Sequence, residues 1–254
     1  MRGHYKSPQG ILDDLGITEP GEIDLNAISI YCGATVVEGE LQGCEARLVG
    51  ANDKAFITVK RGSYGPRKRF SVGHELGHWM HDRDKASFKC GKPEFQSWND
   101  TSPETRANNY AADLLLPKSM FVPRAAGKPI TLDTTSELAN LFETSLTSTA
   151  IRLVEYGGRP AMVVYSTAQG VRWSRRNKDV PFPVKLTGRI DVDSVAYEVL
   201  RGAGRSGPQD VVASAWFGDY HAKWSTVQED SQKVLDGVLT LLWWPDEAHL
   251  LNYA

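Results

Sequence analysis

The pentapeptide His74-Glu75-Leu76-Gly77-His78 combines the residue types and spacing of a hydrolytic metal centre. Two histidines four apart on an α-helix lie about 40° apart around its axis, one turn above the other. Both imidazoles can then reach one divalent ion at roughly 2.0–2.1 Å, the zinc–nitrogen distance. Glu75 stands between them, where a carboxylate can take a proton from an attacking water. Such a centre needs a third protein ligand and an open fourth position. His81 shares the face of His74 and His78, but a straight helix spaces residues 74 and 81 about 10 Å apart along its axis. Asp82 lies one turn beyond His78 and off the line of His74. Glu104 falls in the first turn of the next expected helix, and antiparallel packing of the two helices would carry its carboxylate to the ion. Glu104 is therefore preferred. His4, His221 and His249 are scattered along the chain.

The same five residues can also occur by accident in an ordinary helix. Their setting argues otherwise, because the motif lies mid-helix, after a strand and before a helix that carries a suitable acid. Gly77 costs that helix roughly 1 kcal/mol relative to Ala, which suggests that another element approaches closely there. Asn108, one turn after Glu104, is placed to orient a ligand. Tyr110 and His81 are further candidates near the reacting groups.

The elements that must position these residues follow from local signals. Ser7-Pro8 caps a helix running to Gly16, and a second helix is expected over 23–31. Segments 34–38, 46–49 and 55–59 read as strands, with 50–54 as a hairpin turn between the last two. Strand 55–59 is expected at a sheet edge, where it could hold an extended peptide by strand addition. A helix over 67–81 carries the motif, and 85–102 is polar and irregular. Ser102-Pro103-Glu104 opens the next helix, which Pro117 ends after Leu116. Helices over 135–142 and 146–156 precede a break at Gly157-Gly158-Arg159-Pro160. Beyond it come strands over 161–166, 171–174, 211–217, 224–235 and 238–244, a helix over 192–201, and an Asp236-Gly237 hairpin turn.

The chain has 254 residues, a net charge of −2 and a pI near 6.3. No global basic field is present to hold nucleic acid or anionic lipid. No run of 18 apolar residues exists, which argues against a membrane span. The N-terminus shows no apolar signal-peptide run, and Cys32, Cys44 and Cys90 are an odd set without a CxxC pair. A reduced, cytoplasmic setting is expected. Cys44 and Cys90 read as inert thiols rather than sensors.

Three further stretches carry weaker signals. Segment 136–153 has a helix-turn-helix pattern, but residues 131–156 hold Asp133, Glu137, Glu143 and Glu155 against Arg152 alone. A packing unit is favoured over a DNA reader. Arg67-Lys68-Arg69 opposes the dipole of the helix it opens and reads as a solvated face. Arg172–Lys178 mixes cations with Trp173 and reads as a surface turn.

Three blocks together resemble the ImmA/IrrE-type zinc metallopeptidases. They are Gly43-Cys44-Glu45-Ala46-Arg47-Leu48, then Arg69-Phe70-Ser71-Val72-Gly73-His74-Glu75-Leu76-Gly77-His78-Trp79-Met80-His81, then Glu104-Thr105-Arg106-Ala107-Asn108-Asn109-Tyr110-Ala111-Ala112-Asp113-Leu114-Leu115-Leu116-Pro117. Leu116 stands where the family often has Met. The resemblance covers residues 1–156 well and the remainder more weakly. It implies that His74, His78 and Glu104 hold one Zn²⁺ and that Glu75 is the catalytic carboxylate. It also implies regulatory proteolysis, the cleavage of a helix-turn-helix repressor to induce stress-response or mobile-element genes. The expected fold is α+β: a zincin-like peptidase domain over 1–130, a helix-turn-helix-like extension over 131–158, and a smaller α+β, GAF-like domain over 159–254. The alternative is a non-catalytic zinc-containing regulator that binds a repressor or DNA. Direct DNA binding and a membrane partner are not expected.

Overall fold

The computed structural model describes residues 5–82, 102–181, 185–205, 207–218 and 225–245. His4, Cys90, Trp224, His221, His249 and nearly all of the irregular segment 85–102 lie outside the described residues. The chain is α+β and divides into two compact units, Met1–Pro123 with Ala139–Ser145, and Arg124–Leu138 with Leu146–Ala254. Residues 131–158 fall partly in each. No helix among the described residues is long and apolar enough to cross a membrane.

The first unit opens with α1 (Pro8–Asp14) and α2 (Leu25–Tyr31). Ser7 Oγ caps α1 by accepting from Gly10 N at 3.1 Å, and Asp24 caps α2 through Asn26 N and Ala27 N. Three strands follow: β1 (Ala34–Gly39), β2 (Ala46–Ala51) and β3 (Lys54–Lys60). Asn52, at φ 55°, turns the chain between β2 and β3, a conformation that Asn tolerates better than most residues. The sheet order is β1-β3-β2, with β3 parallel to β1 and antiparallel to β2. Strand 55–59 is thus central and cannot receive a peptide, contrary to expectation. Its alternation buries Ala55, Ile57 and Val59 on one face, and both of its hydrogen-bonding edges are taken. Among the described residues the open edges are β1 and β2.

Helix α3 (Gly65–Asp82) packs beneath β2 and β3 and carries the motif. Trp79 fixes it there: Nε1 donates to Cys32 O at 2.9 Å, and the ring fills the space above Gly50, where a Cβ would lie 2.6 Å from it. The three cations at its start are paired rather than free, Arg67 with Glu45 at 3.2 Å, Lys68 with Glu38, and Arg69 with Glu143 at 3.3 Å. Helix α4 (Pro103–Leu115) returns antiparallel to α3. Helix α5 (Lys118–Ala125), which contains Pro123, was not foreseen; Pro117 was read only as the end of the preceding helix. Pro117 stands just ahead of it, where its carbonyl accepts from Met120 N and Phe121 N, a position proline suits.

Helices α6 (Leu132–Phe142) and α7 (Leu146–Tyr156) occupy the helix-turn-helix-like stretch. Within the second unit α7 lies on β4 and β5, and its one arginine, Arg152, is buried against Glu155 and Tyr156. A reading helix needs its cations exposed to phosphate, and Arg152 is not so placed.

The second unit is built on an antiparallel sheet in the order β5-β4-β8-β7-β6. Its strands are β4 (Ala161–Thr167), β5 (Gly170–Arg176), β6 (Gln209–Val212), β7 (Thr226–Val234) and β8 (Gly237–Trp243). Central β8 is buried throughout, the pattern of a strand covered on both faces. One face packs on α8 (Val195–Leu200) with Trp216, Phe217 and Trp244. The strand expected over 211–217 is only β6 followed by a 3₁₀ turn, Ala213–Ala215. Strand alternation would expose every second residue, whereas the turn lets Ala213, Ala215, Trp216 and Phe217 all bury. The strand expected over 171–174 is edge strand β5, which runs on through Arg176 where a surface turn was read, with Trp173 stacked on Tyr165 at 5.8 Å.

Candidate metal centre

Two glycines on α3 and two alanines on α4 set how closely these helices pack. A Cβ on Gly77 would stand 2.9 Å from Ala107 Cα, and one on Gly73 would stand 3.2 Å from Ala111 Cβ. Both pairs are four apart, so they form facing stripes on antiparallel helices. The space left by these missing side chains brings the first turn of α4 against the middle of α3. Ser102 Oγ caps α4 by accepting from Thr105 N at 3.0 Å. Glu104 lies one residue inside the following Pro103, where the helix dipole favours a carboxylate.

There His74, His78 and Glu104 converge, with one ligand atom from each lying within 4.8 Å of the others. His74 Nε2 is 3.1 Å from His78 Nε2 and 3.3 Å from Glu104 Oε2, and His78 Nε2 is 3.4 Å from Glu104 Oε1. A tetrahedral ion bound at about 2.0–2.1 Å sets neighbouring ligand atoms roughly 3.3–3.4 Å apart, so the donors fit such an ion in both number and spacing. Both histidines are buried, while about half of the Glu104 side chain (51%) is exposed. The cluster is therefore walled on the α3 side and open on the other. Hydrogen bonds with His74 and then His78 hold the Glu104 carboxyl well below the usual carboxylate range.

Asn108 Oδ1 accepts from His74 Nδ1 at 2.8 Å. That bond places the His74 proton on the remote nitrogen and leaves the Nε2 lone pair facing the cluster. On His78, Nδ1 lies 3.8 Å from Asp82 Oδ2. Glu75 is buried (1% exposed) on the helix turn between the two histidines.

Two sequence candidates stand apart from the cluster. Tyr110 donates to Lys6 O at 3.0 Å, and His81 sits between the rings of Tyr5 (4.9 Å) and Tyr110 (5.8 Å). They tie the N-terminal segment to the last turn of α3 and the middle of α4. Burial pushes the Tyr110 phenol up and lowers His81. Sequence reading missed Arg106, which binds Asp82 at 3.1 Å, and Phe70, whose half-buried ring lies 6.3 Å from that of His74. Phe70 was readable as the residue one turn before His74 on the same stripe.

No curated protein matches the chain in sequence. Among solved structures it is similar to a Mycobacterium tuberculosis transcriptional regulator, at 15% identity and a TM-score of 0.63, over 95% of this chain and 75% of that one. At that identity the likeness concerns the fold alone. The family model described as the IrrE N-terminal-like domain, Peptidase M78, matches residues 33–154, which contain β1 to β3 and the whole α3–α4 cluster. The resemblance read from the three sequence blocks is thereby borne out: residues 33–154 of this chain match the Peptidase M78 model, an IrrE N-terminal-like domain.

Proposed function

We propose that the chain is a zinc-dependent endopeptidase that cleaves a regulatory protein, a helix-turn-helix transcriptional repressor, to induce stress-response or mobile-element genes. The observation that carries this reading is the convergence of His74, His78 and Glu104 on one point within a Peptidase M78 domain. The donor set also favours zinc. Two imidazoles and one carboxylate are the ligands of many catalytic zinc sites, with a fourth position left open.

His74, His78 and Glu104 would hold the ion. A zinc ion held there would supply Lewis acidity, lowering the pKa of water and polarising a peptide carbonyl. Glu75 takes the proton of the attacking water as general base and returns it to the leaving amine. Its place on the helix turn between the two histidines, shielded from solvent, supports that role. Asn108 keeps His74 in the tautomer that presents Nε2. Substrate in extended form would lie along an open sheet edge. We assign it to β2, which packs on α3 and leaves Val49 exposed, in place of the internal β3. The second unit is proposed as a sensory or interaction module.

The test is Glu75→Gln against wild type, with bound zinc and cleavage of a candidate repressor measured together. Unchanged zinc with cleavage reduced about 10²–10⁴-fold is expected when a general base is removed. Cleavage at the wild-type rate would reject the role of Glu75. Complex formation without cleavage by the wild-type protein would favour a non-catalytic regulator.

A further inference from the structure

Asp82 and Arg106 form a pair for which the cluster described above has no use as ligands. Asp82 is 3% exposed on the last turn of α3, one turn after His78. Its Oδ2 lies 3.8 Å from His78 Nδ1. Arg106 reaches it from α4, with Nη2 at 3.1 Å from Oδ1 and 3.4 Å from Oδ2. A buried carboxylate is costly unless it is paired, so its presence beside a histidine calls for a reason. A hydrophobic residue would pack the same helix turn at less cost.

His78 supplies the reason. Its Nε2 is the nitrogen that faces His74 and Glu104. If Nε2 is to donate a lone pair to a metal, the proton must sit on Nδ1, and an acceptor on that side fixes both tautomer and ring plane. His74 has Asn108 for this purpose. On the Nδ1 side of His78 stands the carboxylate of Asp82. On the proposed reading of this cluster as a zinc site, we infer that Asp82 is the positioning residue for His78 and that Arg106 holds Asp82 in place. The two histidines are then supported unequally, His74 by a neutral amide and His78 by an anion whose charge is partly offset by Arg106. Helix α4 supplies Glu104, Arg106 and Asn108 within five residues, so one helix delivers a ligand and both supports.

The experiment compares wild type, Asp82→Asn and Asp82→Ala for zinc affinity, by competition with a chromophoric chelator, and for the visible d–d spectrum of the Co²⁺-loaded protein. Thermal unfolding of the metal-free proteins is followed in parallel. Asn keeps an acceptor for Arg106 and removes only the charge; Ala removes both. The expected order of affinity is wild type, then Asp82→Asn, then Asp82→Ala, with the last about 10–100-fold weaker, as when a histidine loses its outer partner. The Co²⁺ bands should shift in the same order, a change that a purely structural staple would not produce. Unaltered affinity and spectrum in both variants, with only the unfolding temperature lowered, would overturn the inference and leave Asp82 a link between two helices. A wild-type protein that binds neither metal would overturn the zinc reading and this inference with it.

Discussion

Replacing Gly77 with Ala tests whether the close approach of α3 and α4 makes the metal centre. The new Cβ would stand 2.9 Å from Ala107 Cα and 3.0 Å from both Ala107 O and Tyr110 Cβ. Carbon contacts rest at about 3.5–4.0 Å, so α4 must withdraw by roughly 0.5–1 Å. Overpacking of this size costs about 1–3 kcal/mol, and exchange of Gly for Ala in a helix returns about 1 kcal/mol. The metal-free protein should therefore lose no more than about 2 kcal/mol. Zinc affinity should suffer more. Glu104 lies one turn before Ala107 on the same helix, and its oxygens now stand 3.3 and 3.4 Å from the two imidazoles. A retreat of even 0.5 Å is about a quarter of a zinc–ligand bond, and the expected loss is at least about tenfold, the lower end of what a disturbed outer partner causes. Gly73→Ala is the graded control, because its Cβ meets Ala111 Cβ at the milder distance of 3.2 Å. Adding Ala107→Gly should not rescue Gly77→Ala, since the obstructing atoms are the backbone of residue 107 and the Cβ of Tyr110. Chelator competition measures the affinity, and urea unfolding in EDTA measures the stability. A Gly77→Ala protein that binds zinc like wild type and gains about 1 kcal/mol when metal-free would refute the reasoning.

Glu104→Ala should retain little zinc under limiting metal by elemental mass spectrometry; undiminished metal would reject Glu104 as third ligand. Asn108→Ala should weaken zinc about 10–100-fold through the freed His74 ring, and an unchanged affinity would make its bond to His74 incidental. In the second unit, Glu229 accepts from Ala196 N at 2.7 Å, Trp216 Nε1 at 2.8 Å and Ser231 Oγ at 2.8 Å. Glu229→Gln would turn an amide donor toward one of these donors and should cost about 1–3 kcal/mol in urea unfolding; a neutral effect would mean that the carboxyl is protonated. Burial raises the Glu229 pKa, against the pull of its hydrogen bonds from Trp216, Ser231 and the backbone. The folded state then binds the proton more tightly than the unfolded one, so stability should fall as pH rises from the ordinary glutamate value, about 4.3, through the raised one. That slope should vanish in Glu229→Gln, and its persistence would assign it to another group.

How much of this was legible in the sequence depends on how far apart the interacting residues lie. The spacing of His74 and His78, the cap at Ser102 and the acid at Glu104 are local signals, and each stands where expected. The glycine at 77 marked a close approach, although only the structure shows that Ala107 is what approaches. Sheet order was not legible, because the pairing of β3 with both neighbours is decided by register across loops rather than by strand composition. Strand 55–59 alternates like an edge strand with one wet face, and Phe56 is in fact exposed, yet its two hydrogen-bonding edges are occupied. Exposure of a face and exposure of an edge are independent, and alternation reports only the first. The turn at Ala213–Ala215 was misread for a related reason: small residues permit either conformation, and the burial of Trp216 and Phe217 in a core assembled from distant strands decides between them. Arg106 escaped notice because one turn of helix separates what it touches from what Glu104 touches. A cation two residues after a candidate ligand points roughly 200° around the helix, which suggests a surface role until the partner helix is seen to wrap toward it. On α4 the residues at 104, 106 and 108 touch His74, His78 and Asp82, which α3 presents along two of its turns. A substitution that rotates α4 without displacing it should therefore weaken all three contacts together, whereas one that only shortens a side chain should weaken a single contact.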